Sequence, residues 1–314
     1  MTVTILVPVY GVERYIAECA ESLFQQTYKE IEYIFCDDCT PDRSVEVLQG
    51  VVEQYPERKP HVRIIRNERN MGIGATRARL VSAVLTDCFF FADSDDILPL
   101  NAIEVLAKRM QEADVDIVDG AYQYWTDGRA TSTNYPSHDS QERYRRKVQA
   151  GNLVRHQLWG RLYKKDVIQK VPDLFVAGID MAEDYCAVTR LAAVTTRAWT
   201  DDVVYRYRIE QQSFFNTEKH DKSIRSRLAA TKKVLSFYHH RGHLPLAVEI
   251  GILDTYRMCH KADGPSVEQV DAILQYYPEH LTAKLLFNML RTKNIPYKVT
   301  DFLYRAARAV AIAI

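Results

Sequence analysis

The chain reads as an α/β protein, a mostly parallel, doubly wound sheet flanked by helices and followed by an all-helical C-terminal region. Two observations predict this. In the first half, short apolar runs rich in β-branched and aromatic residues alternate with stretches whose apolar residues recur at helical spacing. After about residue 223 only the helical period remains. At 314 residues and 47% hydrophobic content, there is ample apolar material for a core in one large domain or two unequal ones.

Taken in order, residues 2–7 form a β-rich run, and 15–25 carry Ile16, Cys19, Ala20, Leu23 and Phe24 on one helical face. A second strand spans 31–36, and a second helix 44–55 places Val45, Leu48 and Val52 together. A third strand and helix follow at 62–66 and 73–85, a fourth pair at 88–92 and 101–112, and a fifth strand at 115–121. This βαβα alternation argues for parallel strands with helices on both faces. Residues 126–150 are polar and read as a mobile excursion. Order resumes over 159–168, with a helix over 183–193 and an alternating strand over 198–208. Helical periods then run over 223–241, 245–260, 266–276, 279–291 and 297–313. A boundary near residue 216 divides the chain into 1–215 and a helical region 216–314.

Formal net charge is +0, from 41 basic and 41 acidic residues, so no global positive field recruits nucleic acid. The N-terminus carries no basic segment followed by a long apolar one, and no apolar run nears the ~20 residues that cross a bilayer. Six cysteines without framework spacing suit reduced thiols, so the expected location is cytoplasmic.

The chemistry gathers where Cys88-Phe89-Phe90-Phe91-Ala92 runs directly into Asp93-Ser94-Asp95-Asp96. Three carboxylates at a strand exit repel one another unless a cation or a proton compensates. A hard divalent metal, Mn²⁺ or Mg²⁺, is the cheapest compensation. A helix N-cap before Pro99 accounts for one of the acids, Asp96, but not for three. In a doubly wound sheet the loops after the strands meet along one edge. Those loops hold Pro8-Val9-Tyr10, then Asp37-Asp38-Cys39-Thr40-Pro41-Asp42, then Asn67-Glu68-Arg69-Asn70-Met71-Gly72 with Arg77 one turn into the next helix, then Asp93, Asp95 and Asp96. Acids, an aromatic residue and an arginine converge there, which suits a nucleoside diphosphate met by metal and guanidinium. Neither GxGxxG nor a Walker GxxxxGK[ST] follows the first strand, so dinucleotide and P-loop readings lose their phosphate cradle.

The segments Val7-Pro8-Val9-Tyr10, Gln26-Thr27-Tyr28, Cys36-Asp37-Asp38 through Asp42, Asn70-Met71-Gly72 with Ala75 and Arg77, and Asp93-Ser94-Asp95-Asp96 resemble the family 2 glycosyltransferases of GT-A fold, in order and in spacing. Glu183-Asp184 and Tyr205-Arg206-Tyr207-Arg208 through Ser213 continue the likeness, which covers roughly residues 1–215. The resemblance implies that Pro8 and Tyr10 hold nucleobase and ribose, that Asp38 accepts a hydrogen from the base, and that Arg77 touches the diphosphate. It makes Asp93 and Asp95 the DxD pair, with Asp93 on the ribose side and Asp95 the main metal ligand. Asp184 matches the catalytic base, and a single displacement inverts the anomeric centre. Gly11, Cys39, Gly74 and Arg161 stand where the family usually has Asn, Gly, Ser and Lys.

The implied donor is a nucleotide sugar, of uridine type. The acceptor is a saccharide or lipid-linked molecule of a cell-surface polysaccharide. A nucleotide-sugar-binding protein without turnover and a sugar-phosphate nucleotidyltransferase are the alternatives. Glu183 and Asp184 also suit a helix dipole without any catalytic role. Glu183, Asp96 and Trp159 are weaker acceptor-side candidates, and Trp159 with Tyr163 forms either a sugar platform or core. Cys36-Asp37-Asp38-Cys39 spells CxxC, but two acids between the thiols raise rather than lower their pKa. His239, His240 and His243 read as a solvated helical cluster. The C-terminal stretch, with Phe302, Leu303, Ala306, Val310, Ile312 and Ile314 beside Arg305 and Arg308, suits packing, a homo-oligomer, or a shallow contact with the inner face of the membrane.

Overall fold

The computed structural model describes residues 1–126, 128–151, 154–209, 220–261, 267–276, 278–291 and 297–313. They divide into two compact units, one of residues 1–138, 157–178 and 194–213 and the other of 139–156, 179–193 and 214–314. Ser213, the last residue of the final sequence motif, lies outside the described residues.

The first unit alternates as its sequence pattern requires: β1 (Val3–Val9), α1 (Ile16–Phe24), β2 (Ile31–Asp37), α2 (Ser44–Val52), β3 (Val62–Arg66), α3 (Ile73–Ser82), β4 (Cys88–Phe91) and α4 (Ala102–Ala113). Strands β3, β2, β1 and β4 lie side by side in parallel, with Val3 opposite both Ile31 and Cys88. Val3, Ile5 and Val7 of β1 share one apolar cluster with Leu23 of α1, Leu48 of α2 and Leu106 of α4. Helix α3 packs on β1 and β2 apart from that cluster, so the strands are covered on both faces and read as continuous apolar runs. Phe89, Phe90 and Phe91 are at most 1% exposed. Burial of each such ring is worth roughly 1.5–3 kcal/mol, which fixes β4 in the centre and sends the chain out at Asp93.

Beyond β4 the sheet changes hand of pairing. Strands β5 (Ile117–Thr126) and β6 (Arg129–Asn134) form an antiparallel hairpin. After α5 (Gln141–Gln149), strand β7 (Arg161–Lys164) inserts antiparallel between β4 and β5. The short α6 (Val167–Lys170) and α7 (Glu183–Ala192) precede β8 (Arg197–Arg208), which runs parallel to β5. The eight strands form one sheet of order β3-β2-β1-β4-β7-β5-β6, with β8 paired to β5. Asp119 of β5 is buried between Arg161 at 3.1 Å and Arg197 at 3.0 Å, so Arg161 is an internal ion-pair partner.

The polar stretch 126–150, expected as a mobile excursion, instead supplies β6 and α5. Helix α5 starts at Ser140, whose hydroxyl accepts from the Arg143 N–H at 3.4 Å, and it buries Tyr144 and Val148 one turn apart. Asp127 lies outside the described residues.

The second unit is helical: α5, α7, α8 (His220–His239), α9 (Leu246–Lys261), α10 (Val267–Leu274), α11 (Leu281–Arg291) and α12 (Tyr297–Ala313). Helix α9 is central, touching α5, α8, α10, α11 and α12. Gly251 lets α9 approach α5, since a Cβ there would collide with the Gln149 carbonyl. The buried Glu249 carboxylate accepts from the Tyr276 hydroxyl at 3.2 Å and from the His280 N–H at 3.0 Å, which satisfies a charge that would otherwise be costly. The unit thus draws on residues 139–156 and 179–193 as well as on the stretch after the expected division near 216. Among the described residues, no helix is long and apolar enough to cross a membrane.

Candidate active site

Parallel pairing brings the exits of β1, β2, β3 and β4 to one edge, as the sequence pattern requires. At the exit of β4, Asp93 and Asp95 are half-buried and Ser94 and Asp96 are buried. The turn closes on itself through the Asp96 N–H, which donates to the Asp93 carbonyl at 3.1 Å. Arg77, one turn into α3 and 6% exposed, donates to the Asp93 carboxylate at 2.9 Å. A buried guanidinium therefore reaches the acidic turn from the first turns of α3.

The turn is braced by β8. The Tyr205 hydroxyl donates to the Asp96 carboxylate at 2.7 Å and accepts from the Asp93 N–H at 3.0 Å. The other Asp96 oxygen accepts from the Arg208 N–H at 2.7 Å. The Arg208 guanidinium donates to the Asp95 carbonyl at 2.7 Å and to Glu18 of α1 at 2.5 Å. Backbone bonds between Ile97 and Arg206 complete the clamp. Asp96 thus serves as an internal post, both oxygens engaged, while the Asp93 carboxylate turns to Arg77. Burial first, then the charges of Asp95 and Asp93, push the Asp96 carboxyl well above its ordinary range. Burial, Asp96 and Asp93 likewise push the Tyr205 phenol well up, which keeps it a donor. Neither Tyr205 nor Arg208 had a role from sequence alone. Their motif was visible, but a contact between residues over a hundred positions apart leaves no local pattern.

Directly after β2, Asp38 is 5% exposed and organises the neighbouring loop. Its carboxylate accepts from Asn67 Nδ2 at 2.7 Å, the Met71 N–H at 2.7 Å and the Gly72 N–H at 3.0 Å. Gly72 adopts φ 84° and ψ 164°, a conformation open to glycine and strained for other residues. The exposed Asn70 holds the same N–H through its side-chain oxygen at 3.1 Å. Asp37, 2% exposed, pairs with Arg66 at 3.1 Å and accepts from the Thr40 N–H at 2.8 Å. Both acids therefore shape loops as well as lining the edge. Cys39 sits at φ 58°, the left-handed conformation that a glycine at this turn would take without strain. Asp42 holds the loops after β1 and β2 together, accepting from the Ser44 and Thr40 hydroxyls and the Glu13 N–H. Burial opposes its charge, yet those hydrogen bonds bring its pKa down to about 2. The Cys36 thiol is pushed up to about 11 by burial foremost, with Asp38 and Asp37 adding to it against the pull of Arg79. Pro8 is half-buried, and Tyr10 is 48% exposed beside this edge.

Trp159 and Tyr163 are 4% and 1% exposed. Trp159 stacks on Tyr205 at 4.5 Å and on Tyr207 at 5.3 Å, and Tyr163 stacks on Phe89 at 5.0 Å. Of the two readings of this pair, the structure shows the core one. Trp159 supports Tyr205 and, through it, the acidic turn. Glu183 and Asp184 open α7 in the helical unit, both half-buried, and the Asp184 carboxylate accepts from the Tyr185 N–H at 2.6 Å.

Among the described residues no three His, Cys, Asp or Glu side chains cluster as a closed metal cage. Asp93 and Asp95 supply two carboxylates in a turn negative enough to disfavour the charge of Asp96. That donor set fits Mg²⁺ or Mn²⁺, which are commonly held by one or two carboxylates with phosphates and water completing the sphere.

A mostly parallel sheet with an acidic turn at its carboxyl edge, met there by a buried arginine, is the arrangement of a GT-A fold. The chain belongs to glycosyl transferase family 2, whose family model matches residues 4–171. It is 31% identical over 191 residues to the uncharacterized glycosyltransferase EpsJ of Bacillus subtilis, covering 58% of this chain and 53% of EpsJ. The chain spans about half the length or less of EpsJ and several other curated relatives. The fold is shared with S. aureus TarS 1-349 in complex with UDP-GlcNAc, at TM-score 0.63 and 17% identity over 98% of this chain and 91% of that one. It is also shared with the mannosyltransferase PcManGT of Pyrobaculum calidifontis, in complex with GDP-Man and Mn²⁺, at TM-score 0.53 and 15% identity over 99% and 86% of the two chains.

Proposed function

We propose that this glycosyltransferase moves a sugar, with inversion, from a uridine diphosphate donor to a saccharide or lipid-linked acceptor in cell-surface polysaccharide synthesis. The observation that carries this reading is the Asp93–Asp95 turn, presented at the carboxyl edge by β8 and met by Arg77 at 2.9 Å. Pro8 and Tyr10 border the place of the base and ribose. Asp37, Asp38, Asn70 and Gly72 shape that border, and Asp93 with Ser94 faces the ribose and diphosphate side. Arg77 offsets negative charge where the diphosphate departs. Asp93 and Asp95 would hold the divalent ion, whose chemistry when bound is neutralisation of the leaving diphosphate.

Transfer also needs a base to take the acceptor proton. Asp184 is our assignment, with Glu183 beside it on the acceptor side: it matches the family's base in sequence order, and its half-buried carboxylate stands in the first turn of α7. TarS supports the uridine base, having been solved with UDP-GlcNAc, and PcManGT supports Mn²⁺. Exposed Leu281, Leu285 and Phe302 on α11 and α12 favour a peripheral membrane contact at the inner face, or a homo-oligomer. We place donor binding within residues 1–215 and assign the helical region 216–314, with the segments that join its unit, to the acceptor side.

Phosphorus NMR of the reaction with UDP-sugars, Mn²⁺ and a lipid-linked saccharide, with proton NMR of the product's anomeric centre, tests the reading. The expected product is uridine diphosphate with an inverted glycosidic bond. Release of pyrophosphate would identify a nucleotidyltransferase instead, and binding without any turnover would identify a non-catalytic binding protein.

A further inference from the structure

Within the helical unit, a cleft of about 540 Å³ opens between α5, the end of α8, and α9, with no residue of the acidic turn in its lining. Its lining is basic. Arg145 and Arg146 come from the C-terminal half of α5, Arg241 and His243 from the loop after α8, and His280 from just before α11. The acid among its lining residues is Glu142, paired with Arg146 at 2.7 Å and with Arg145 at 3.7 Å. Arg241 has no carboxylate partner among the described residues; it lies over the Phe237 ring at 5.3 Å. Three guanidinium groups against one carboxylate leave a positive cleft even with both imidazoles neutral.

The same cleft takes in the first residues of α9. Pro245, Leu246 and Ala247 line it, and their helix runs for 16 residues. A helix N-terminus presents unbonded N–H groups and the positive end of its dipole, which favours an anion. Arginine forks suit phosphate oxygens in particular, because two parallel N–H groups match two oxygens. The floor is already satisfied: Gln149 donates to the Tyr238 hydroxyl at 2.7 Å, and that hydroxyl donates to the Thr189 carbonyl at 3.2 Å. Arg146 is engaged by Glu142 and donates to the Ile312 carbonyl at 3.4 Å, so the Arg145 and Arg241 guanidinium groups are what the rim offers a ligand. Arg145 and Arg146 also suit the C-terminal dipole of α5, but that role requires neither Arg241 nor a cleft.

We propose that this cleft is a binding site for a phosphate or pyrophosphate group, separate from the donor edge and independent of transfer chemistry. A soluble molecule and a lipid headgroup both present this phosphate chemistry, and the two sources are separated by the test.

The test is calorimetric titration of inorganic pyrophosphate into the full chain in EDTA, which removes metal-dependent binding elsewhere. The variants are R145Q/R241Q and E142Q, with UDP binding in Mn²⁺ as a parallel control. Wild type should bind pyrophosphate, and more weakly as salt rises. R145Q/R241Q should lose roughly tenfold or more, while E142Q, which removes the acid of the rim, should tighten binding several-fold. A gain of that kind does not arise from misfolding. UDP binding should be the same in all three proteins, so failure here is distinguishable from failure of the transferase reading. Flotation with phosphatidylcholine vesicles, with and without phosphatidylglycerol, separates the sources. Recruitment by the anionic vesicles that R145Q/R241Q abolishes points to a headgroup, and pyrophosphate binding without recruitment points to a soluble phosphate. Equal pyrophosphate affinity in wild type and both variants, or no binding in wild type, overturns the proposal.

Discussion

At the scale of single residues, the site depends on side chains that touch no donor. Tyr205 exchanges hydrogen bonds with Asp96 and with the Asp93 backbone in one buried place. Tyr205→Phe keeps the ring on Trp159 but leaves a buried carboxylate and a backbone N–H short of a partner. Such losses cost about 1–3 kcal/mol each, so the variant should unfold at lower temperature by scanning calorimetry. It should also bind UDP with Mn²⁺ more weakly, because the turn loses its brace. Unchanged melting and unchanged binding would remove Tyr205 from the account. Asp42 makes a prediction in pH. Its folded pKa of about 2 lies below the ordinary carboxylate value of 3.8. The unfolded chain therefore takes up the proton first as pH falls, and stability present above pH 3.8 is lost on the way down to about 2. Asp42→Asn should flatten acid unfolding across that interval; an unaltered acid limb would contradict the assignment. Asp37, Asp38 and Asp93 could be picked out in the sequence because acids after apolar strands are conspicuous. That Asp38 spends its oxygens on Asn67, Met71 and Gly72 could not be, since the partners lie about thirty positions away.

At the scale of elements, legibility followed burial. The strands from β1 to β5 and helices α1 to α4 are apolar on their inner faces and announce themselves by period. Strand β6 does not: Arg129-Ala130-Thr131-Ser132 is exposed throughout, and its pairing with β5 rests on backbone bonds that composition does not record. Helix α5 buries little beyond Tyr144 and Val148, so its signal was a Ser140 cap and one apolar pair within a charged sequence. Trp159 admitted two readings because an aromatic residue serves a sugar ring or a core equally well, and the stacking by Tyr205 and Tyr207 decided it. The loop before α3 gives the prediction at this scale. Gly72→Ala would force a side chain into φ 84°, displace the N–H that Asp38 holds, and shift the start of α3 that carries Arg77. The expected cost is about 1–3 kcal/mol, with UDP affinity reduced more than in a control, Gly50→Ala, where a Cβ meets open space. Equal affinity in the two variants would show that the loop does not set the site.

At the scale of the whole molecule, the α/β half and the helical remainder follow from a change of period along the chain. Which segments belong to the helical unit does not follow, because periodicity reports that a face is apolar and not which neighbour covers it. Residues 139–156 and 179–193 join that unit through contacts such as the Tyr304 hydroxyl donating to the Ala150 carbonyl at 3.3 Å. The central claim nonetheless sits in one turn: Asp93 and Asp95 hold a cation that receives the diphosphate of a nucleotide sugar. Isothermal titration of uridine diphosphate, with Mn²⁺ and again in EDTA, into wild type and Asp95→Ala tests it most directly. Binding should require Mn²⁺ and should fall roughly tenfold or more in the variant. Equal affinity in EDTA, or full affinity in Asp95→Ala, would contradict it.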